Sequence, residues 1–259
     1  MSDVKDLLVR VDGGALWLTL NRPEVFNAMS GEMGLALVAE ISGAVARDDV
    51  RVVVLTGAGD AFSAGADISG ADAIERFDVR TMDGANAIIR AIVDCPKPVL
   101  AAVNGIAAGV GCSAALAADI IVAKESAAFL LAFARIGFMP DGGSSATVAA
   151  AIGRPRAMRM ALLAEPLSAQ EAYDAGLITH VASSDDYDEL VATLVRRLSA
   201  GAPLAQTATK RAINAATLTE LDAALERERT GQTVLMRTAD AAEGMRAFSE
   251  RRKPLFRGE

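Results

Sequence analysis

An α/β fold with a largely parallel sheet and a helical C-terminal layer is the expectation for this 259-residue chain. Three observations carry it. Short apolar, β-branched runs alternate with segments of helical apolar spacing up to about residue 180. From Asp186 onward, helix-like segments follow one another without an intervening strand. Hydrophobic residues make up 52% and charged residues 23%, ample core for one large domain or a domain with an appendage.

Leu7 to Val11 and Ala15 to Leu20 read as strands joined by the tight turn Asp12-Gly13-Gly14. Asn21-Arg22-Pro23 ends the second strand. Met33, Leu37, Ile41 and Val45 recur every four residues and predict a helix from Ser30 to Arg47. Val50 to Thr56 is a dense β-branched run of the kind buried in parallel sheets. A helix is expected around Thr81 to Asp94, closed by Pro96 and Pro98. Val99 to Val103 and Asp119 to Ala123 are further strands, with a small-residue helix opening at Ala107 to Gly111 and running to Ala118. Ala128 to Arg135 reads as strand or extended core, and Gly137 to Gly143 as a loop before another helix. Ser168-Ala169-Gln170-Glu171 is a capping-box start, and Gly176 ends that helix.

The net charge of -7, with no basic stripe, argues against a nucleic-acid partner. The apolar stretches are too short and too often broken to span a bilayer, and no signal peptide is evident at the N-terminus. Cys95 and Cys112 stand outside any Cys-x-x-Cys pair and His180 is the lone histidine, so a Cys/His metal site is not expected. A reduced, cytoplasmic chain is the simplest expectation.

Two segments could carry chemistry. Ala61-Phe62-Ser63-Ala64-Gly65-Ala66-Asp67-Ile68 follows a buried strand and a Gly-rich turn. Asn104-Gly105-Ile106-Ala107-Ala108-Gly109-Val110-Gly111-Cys112 follows another strand and opens a helix, whose first N–H groups lack partners. Two such N–H groups converging on one point would form an oxyanion hole, each donor worth about 3–4 kcal/mol in a transition state. Taken singly, each segment is equally well explained as a strand–loop–helix connection whose small residues allow close packing.

Together, with Asn21-Arg22-Pro23, Asn27-Ala28, Asp119-Ile120, Gly137, Pro140, Gly143, Pro166-Leu167-Ser168-Ala169, Ala175-Gly176-Leu177 and Lys253-Pro254-Leu255-Phe256, they resemble the crotonase (enoyl-CoA hydratase/isomerase) superfamily along nearly the whole chain. The resemblance implies a spiral of ββα units over residues 1–195 and a helical trimerisation region over 196–259. It implies acyl-CoA thioester substrates, a homotrimer or dimer of trimers, and no cofactor beyond the CoA of the substrate. Carried over, the oxyanion donors are the backbone N–H groups of Ala66 and Val110, with Gly109 as the neighbouring register. The implied substrate contacts are Val25, Phe26 and Ala28 near the N-terminus, and Ala64, Gly65, Asp67 and Ile68 in the first loop. Ala108, Gly109, Ser113, Phe133 and Pro140 complete them. The variable segment from Ser69 to Asp83 would shape the acyl pocket.

The departures matter more. Family hydratases use two glutamates, at positions that here hold Ser113 and Phe133. A Phe exchanges no proton, and a Ser without an adjacent base is a poor one. One acid falls in the right region: Asp141, eight residues after Phe133. Epoxyphenylacetyl-CoA isomerases are similar here, with Gly-small-Gly in the second loop, a hydroxyl residue at the Ser113 position and Pro-Asp before a Gly. One carboxylate suffices for an isomerase, and Phe133, Phe138 and Met139 would dry its surroundings. Asp141 is also well placed to cap the next helix.

Asp67 reads as a structural hydrogen-bond partner, Glu125, Glu165, Glu75, Arg76 and Asp78 as solvated, and His180 and Cys112 as structural. Arg22, Lys97, Arg251, Arg252 and Lys253 are candidate CoA phosphate contacts or plain surface charges. Three functions stay open: an enoyl-CoA isomerase using Asp141, an enoyl-CoA hydratase, and an acyl-CoA binder without turnover.

Overall fold

A computed structural model describes residues 5–70 and 73–259. The reading of the extreme N-terminus, and residues 71–72 of the expected acyl-pocket segment, lie outside the described residues. Strands β1 (Leu7–Asp12) and β2 (Ala15–Leu20) form the expected antiparallel hairpin. Helix α1 (Gly31–Ala44) starts where the Ser30 hydroxyl accepts the Met33 N–H at 3.2 Å.

Three ββα turns follow. The first holds β3 (Val52–Gly57), β4 (Ala61–Ser63), the short α2 (Ala73–Arg76) and α3 (Val79–Asp94). The second holds β5 (Val99–Val103), β6 (Ile106–Ala108) and α4 (Gly109–Leu116). The third holds β7 (Ile120–Lys124), β8 (Ala128–Leu130), a 3-10 helix (Ala132–Ile136) and α5 (Ser144–Leu163), broken at Gly153. Each turn gives one strand to a six-stranded sheet, β1-β2-β3-β5-β7-β10, and one to a four-stranded sheet, β4-β6-β8-β9. The repetition makes the spiral. Strand β9 (Leu167–Ser168), α6 (Ala169–Asp174) and β10 (His180–Ala182) complete the two sheets.

Strand alternation divides the core. Val53, Leu55, Val99, Ala101 and Val103 face a main cluster containing Met33 and Ile41 of α1 and Ile88 and Ile92 of α3. Val52, Val54, Leu100, Ala102 and Val122 face the other way, against Tyr187, Val191, Leu194 and Val195 of α7 (Tyr187–Ala200). The expected division at 195/196 therefore cuts through a helix still packed on the sheet, and the chain leaves that layer at Gly201. Helices α8 (Pro203–Thr217), α9 (Leu221–Leu235) and α10 (Ala239–Ser249) follow. None of the described helices is long and apolar enough to cross a membrane.

Two expectations shift. The α3 helix begins two residues earlier than its apolar spacing suggested, because the Asp78 side chain accepts the Arg80 N–H at 2.8 Å. The Ala128 to Arg135 segment is a three-residue strand and then a 3-10 helix, which turns the Phe133 ring inward.

Candidate functional site

The first loop runs from β4 through Ala66. A parallel bridge pairs Ala66 with Met29: Met29 N–H donates to Gly65 O at 2.7 Å and Asp67 N–H to Met29 O at 3.0 Å. Backbone polar groups alternate along an extended segment, so the Ala66 N–H points away from Met29. On that far side lies the second loop. A Cβ on Gly65, whose φ is +99°, would come within 2.9 Å of Ala108 O. Only glycine permits both this backbone and this approach. The first loop is held from below as well: the Ser63 hydroxyl donates to Asn27 O at 2.9 Å, and Ala64 N–H donates to Phe26 O at 2.8 Å.

The second loop enters α4 at Gly109 through Ala108, which has no side-chain cap. Val110 is the second residue of the helix, and its N–H precedes the first i→i−4 bond of the ladder. The two loops thus meet at Gly65 and Ala108–Gly109, each next in sequence to an expected donor, Ala66 or Val110. Gly109 lies against Phe133, whose Cζ stands 4.0 Å from a Cβ built there. Ser113, one turn further along α4, is buried and donates to Asp141 O at 2.8 Å. Its hydroxyl ties α4 to the third loop through this backbone hydrogen bond. Pro140 sits on that loop beside Asp141. Val25 and Phe26 form a turn whose left-handed Phe26 exposes its ring, and Ala28 is buried. Ala64, Gly65, Ala108 and Gly109 frame the meeting point of the loops.

Asp67 and Ile68 differ from the rest. The Arg22 guanidinium pairs with Asp67 Oδ2 at 2.7 Å, and Ser69 donates to Oδ1 from N–H at 3.0 Å and from its hydroxyl at 2.5 Å. Ser69 and Arg22 hold the carboxyl below its ordinary range against the opposing pull of burial. Asp67 acts as a clamp between Arg22 and Ser69, the structural role its position suggested. Ile68 packs against the main core.

The candidate phosphate contacts are largely committed too. Arg22 also donates to Ala28 O at 2.9 Å. Lys97 Nζ closes the end of α1 by donating to the carbonyls of Ala44, Arg47 and Val50 at 2.6–2.8 Å. Arg252 pairs with Glu243 and Glu250. Cys112 is fully buried with its thiol pushed up to about 12, and Cys95 and Cys112 are both free thiols. His180 Nδ1 contacts the Thr179 hydroxyl at 3.0 Å.

Asp141 is buried (7% exposed). Burial pushes its carboxyl up to about 7; a hydrogen bond from Gln232 opposes the shift and the negative Glu228 adds to it. Oδ2 accepts from Gln232 Nε2 at 3.1 Å, whereas Oδ1 is buried and unpartnered. The carboxylate does not cap α5. That role belongs to Glu228 of α9, whose two oxygens accept the N–H groups of Gly143 at 2.6 Å and Ser145 at 2.9 Å. Sequence reading missed Glu228 and Gln232, since charged and amide residues on a tail helix normally face solvent. Both are fully buried. A cavity of about 640 Å³ lies elsewhere, between α5 and α8, around Asp119 and Lys210.

A spiral of ββα turns carrying two apposed amide-bearing loops is the crotonase architecture. The sequence profile described as Enoyl-CoA hydratase/isomerase matches residues 10–259, and the chain belongs to that family, which acts on acyl-CoA. It is 38% identical to 1,2-epoxyphenylacetyl-CoA isomerase of Escherichia coli, with 98% of each chain covered. It is 35% identical to 2,3-dehydroadipyl-CoA hydratase of the same organism, covering 98% of this chain and all of that one. The crystal structure of an enoyl-CoA hydratase from Mycobacterium avium subsp. paratuberculosis superposes with a TM-score of 0.92 at 45% identity, covering 98% and 99% of the two chains.

Proposed function

We propose that this enzyme isomerises an unsaturated acyl-CoA, with Asp141 as the single acid/base. The observation that carries the reading is the state of the Asp141 carboxyl: buried, raised to about 7, and with Oδ1 uncommitted. Glu228 is also buried, but both its oxygens are bound to amides. Ser113 and Phe133 stand where the resemblance places the two hydratase glutamates, and neither can exchange a proton with a substrate. The similarity to an epoxyphenylacetyl-CoA isomerase agrees with this assignment.

The chemistry balances with one carboxylate. Asp141 removes a proton from C2 of a β,γ-unsaturated thioester, leaving a dienolate. The N–H groups of Ala66 and Val110 stabilise the charge on the thioester oxygen as it develops. The protonated Asp141 then returns its proton to C4, and the double bond moves to C2=C3. A carboxyl near the working pH can serve in both directions. The step needs no cofactor beyond the CoA of the substrate. Self-association belongs to the same reading: Leu204 and Ile213 expose apolar side chains on α8, outside the core.

The test is turnover of a β,γ-unsaturated acyl-CoA by wild type and by Asp141→Asn. Conversion to the α,β isomer that collapses in the variant supports the assignment. Binding without conversion by the wild type rejects this reaction and favours a different acyl group or a non-catalytic binder.

A further inference from the structure

Glu228 and Gln232 lie one turn apart on α9 and both reach inward to the loop that bears Asp141. Gln232 grips that loop at three points. Its Oε1 accepts the Met139 N–H at 3.1 Å, and its Nε2 donates to Met139 O at 2.9 Å and to Asp141 Oδ2 at 3.1 Å. Glu228 grips the far end through Gly143 and Ser145. A carboxylate rotates freely about its last torsion unless a partner fixes it. Here one oxygen is fixed and the other is left without a protein partner in a buried place.

We propose that Gln232 is a positioning residue for the Asp141 carboxylate, setting its rotation so that Oδ1 faces the reacting carbons, while Glu228 locks the loop on which Asp141 stands. The proposal rests on the reading of Asp141 as acid/base. It makes a tail helix part of the machinery and assigns the two α9 residues different electrostatic effects. Gln232 donates to the ionised form and favours it; Glu228 is a like charge and disfavours it.

The other groups around this loop are engaged elsewhere. Helix α4 brings the Ser113 hydroxyl, which donates to the Asp141 carbonyl, and α3 brings Ile89. On α9, Arg229 pairs with Asp83 and Arg227 with Glu220. Arg135 of the 3-10 helix donates to Ala164 O at 2.6 Å. Asp240 of α10, beside Gly137, accepts the N–H groups of Arg257 and Gly258.

The experiment follows the Asp141 carboxyl ¹³C shift against pH in the full-length protein, alongside the pH dependence of kcat/KM. Gln232→Met should raise the midpoint by about one pH unit. It should also lower kcat about tenfold or more while KM changes little. Gln232→Glu keeps an acceptor for Met139 N–H, adds a like charge and should raise the midpoint further; it carries the test if Gln232→Met fails to fold. Glu228→Gln should lower the midpoint. Opposite shifts from the two positions would not arise from general loosening of the fold. Midpoints unmoved, or moving together, overturn the proposal. If Asp141→Asn is inactive while the Gln232 variants keep wild-type kcat and midpoint, this proposal alone fails. Full activity in Asp141→Asn brings down the acid/base reading and this proposal with it.

Discussion

Gln232 donates to Asp141 Oδ2 at 3.1 Å from 91 positions further along the chain, leaving the other oxygen of that carboxylate, Oδ1, buried and without a partner among the described residues. The C-terminal helical segment therefore does more than cover the spiral. It supplies the contact that orients the candidate acid/base and, through Glu228, the cap that α5 lacks at its own N-terminus.

The rate should rise with pH. The proposed isomerisation begins with an ionised Asp141, whose carboxyl is pushed up to about 7. We expect kcat/KM to increase about tenfold per unit below pH 7 and to level off above it. A profile flat from pH 5 to pH 9, those bounds being about two units either side of that midpoint, would exclude Asp141 as the base.

The same burial costs stability. Below about pH 3 the folded and unfolded chains both keep the Asp141 proton, so the raised value is without effect. As pH rises from the ordinary value of 3.8 towards 7, the unfolded chain ionises first and stability is lost. Asp141→Asn should therefore be more stable than wild type at pH 8, by up to about 4 kcal/mol. The difference should vanish below about pH 3. Denaturant unfolding at one protein concentration reads both limits, and a less stable variant at pH 8 would contradict the account.

Val110→Pro removes one candidate oxyanion donor with little change in helix geometry. Proline is tolerated in a first helical turn, and the preceding Gly109 has no Cβ to clash with its ring. We expect kcat to fall about 10²–10³-fold. Val110→Ala, which keeps the N–H, should stay within about threefold of wild type on the same principle. Equal losses in the two variants would point to packing.

Gly65→Ala should fail for a different reason. Its φ of +99° disfavours any side chain, and the new methyl would meet Ala108 O at 2.9 Å. The expected cost is about 1–3 kcal/mol of stability, with turnover reduced as the two loops are pushed apart. Unchanged melting and activity would show that the loops are not tightly apposed.

Lys210 ties α8 to the core. Its ammonium pairs with Asp119 at 2.8 Å and donates to Ile92 O at 2.9 Å, and it is buried. Lys210→Met leaves a partly buried Asp119 without its cation, so unfolding in denaturant should show a loss of about 3 kcal/mol, the lower end for a buried pair. A loss below about 1 kcal/mol would place the pair in the energetic class of surface salt bridges.

Much of the fold was legible in sequence because its signals are local. The β-branched run of β3, the four-residue spacing of α1 and the Ser168–Glu171 capping box each act over a few residues, and each appears where it was expected. The short strands β4 and β6 were not legible, for three residues carry no periodicity. They form only because successive spiral turns stack them side by side.

The candidate site divides in the same way. Its two glycine-bearing loops and Asp141 were singled out through the family resemblance, since small residues after a strand and an acid before two glycines each have an ordinary structural explanation. What Asp141 does there was not readable. As a segment, Asp141-Gly142-Gly143 describes a helix cap as well as an acid. Tertiary structure decided against the cap by bringing Glu228 to that position, and it sets Gln232 on one carboxylate oxygen. The physical reason is that proton affinity depends on burial and on neighbouring charge. For Asp141 the neighbouring charge and the carboxylate hydrogen bond come from a helix some ninety residues away, whose approach no local pattern encodes.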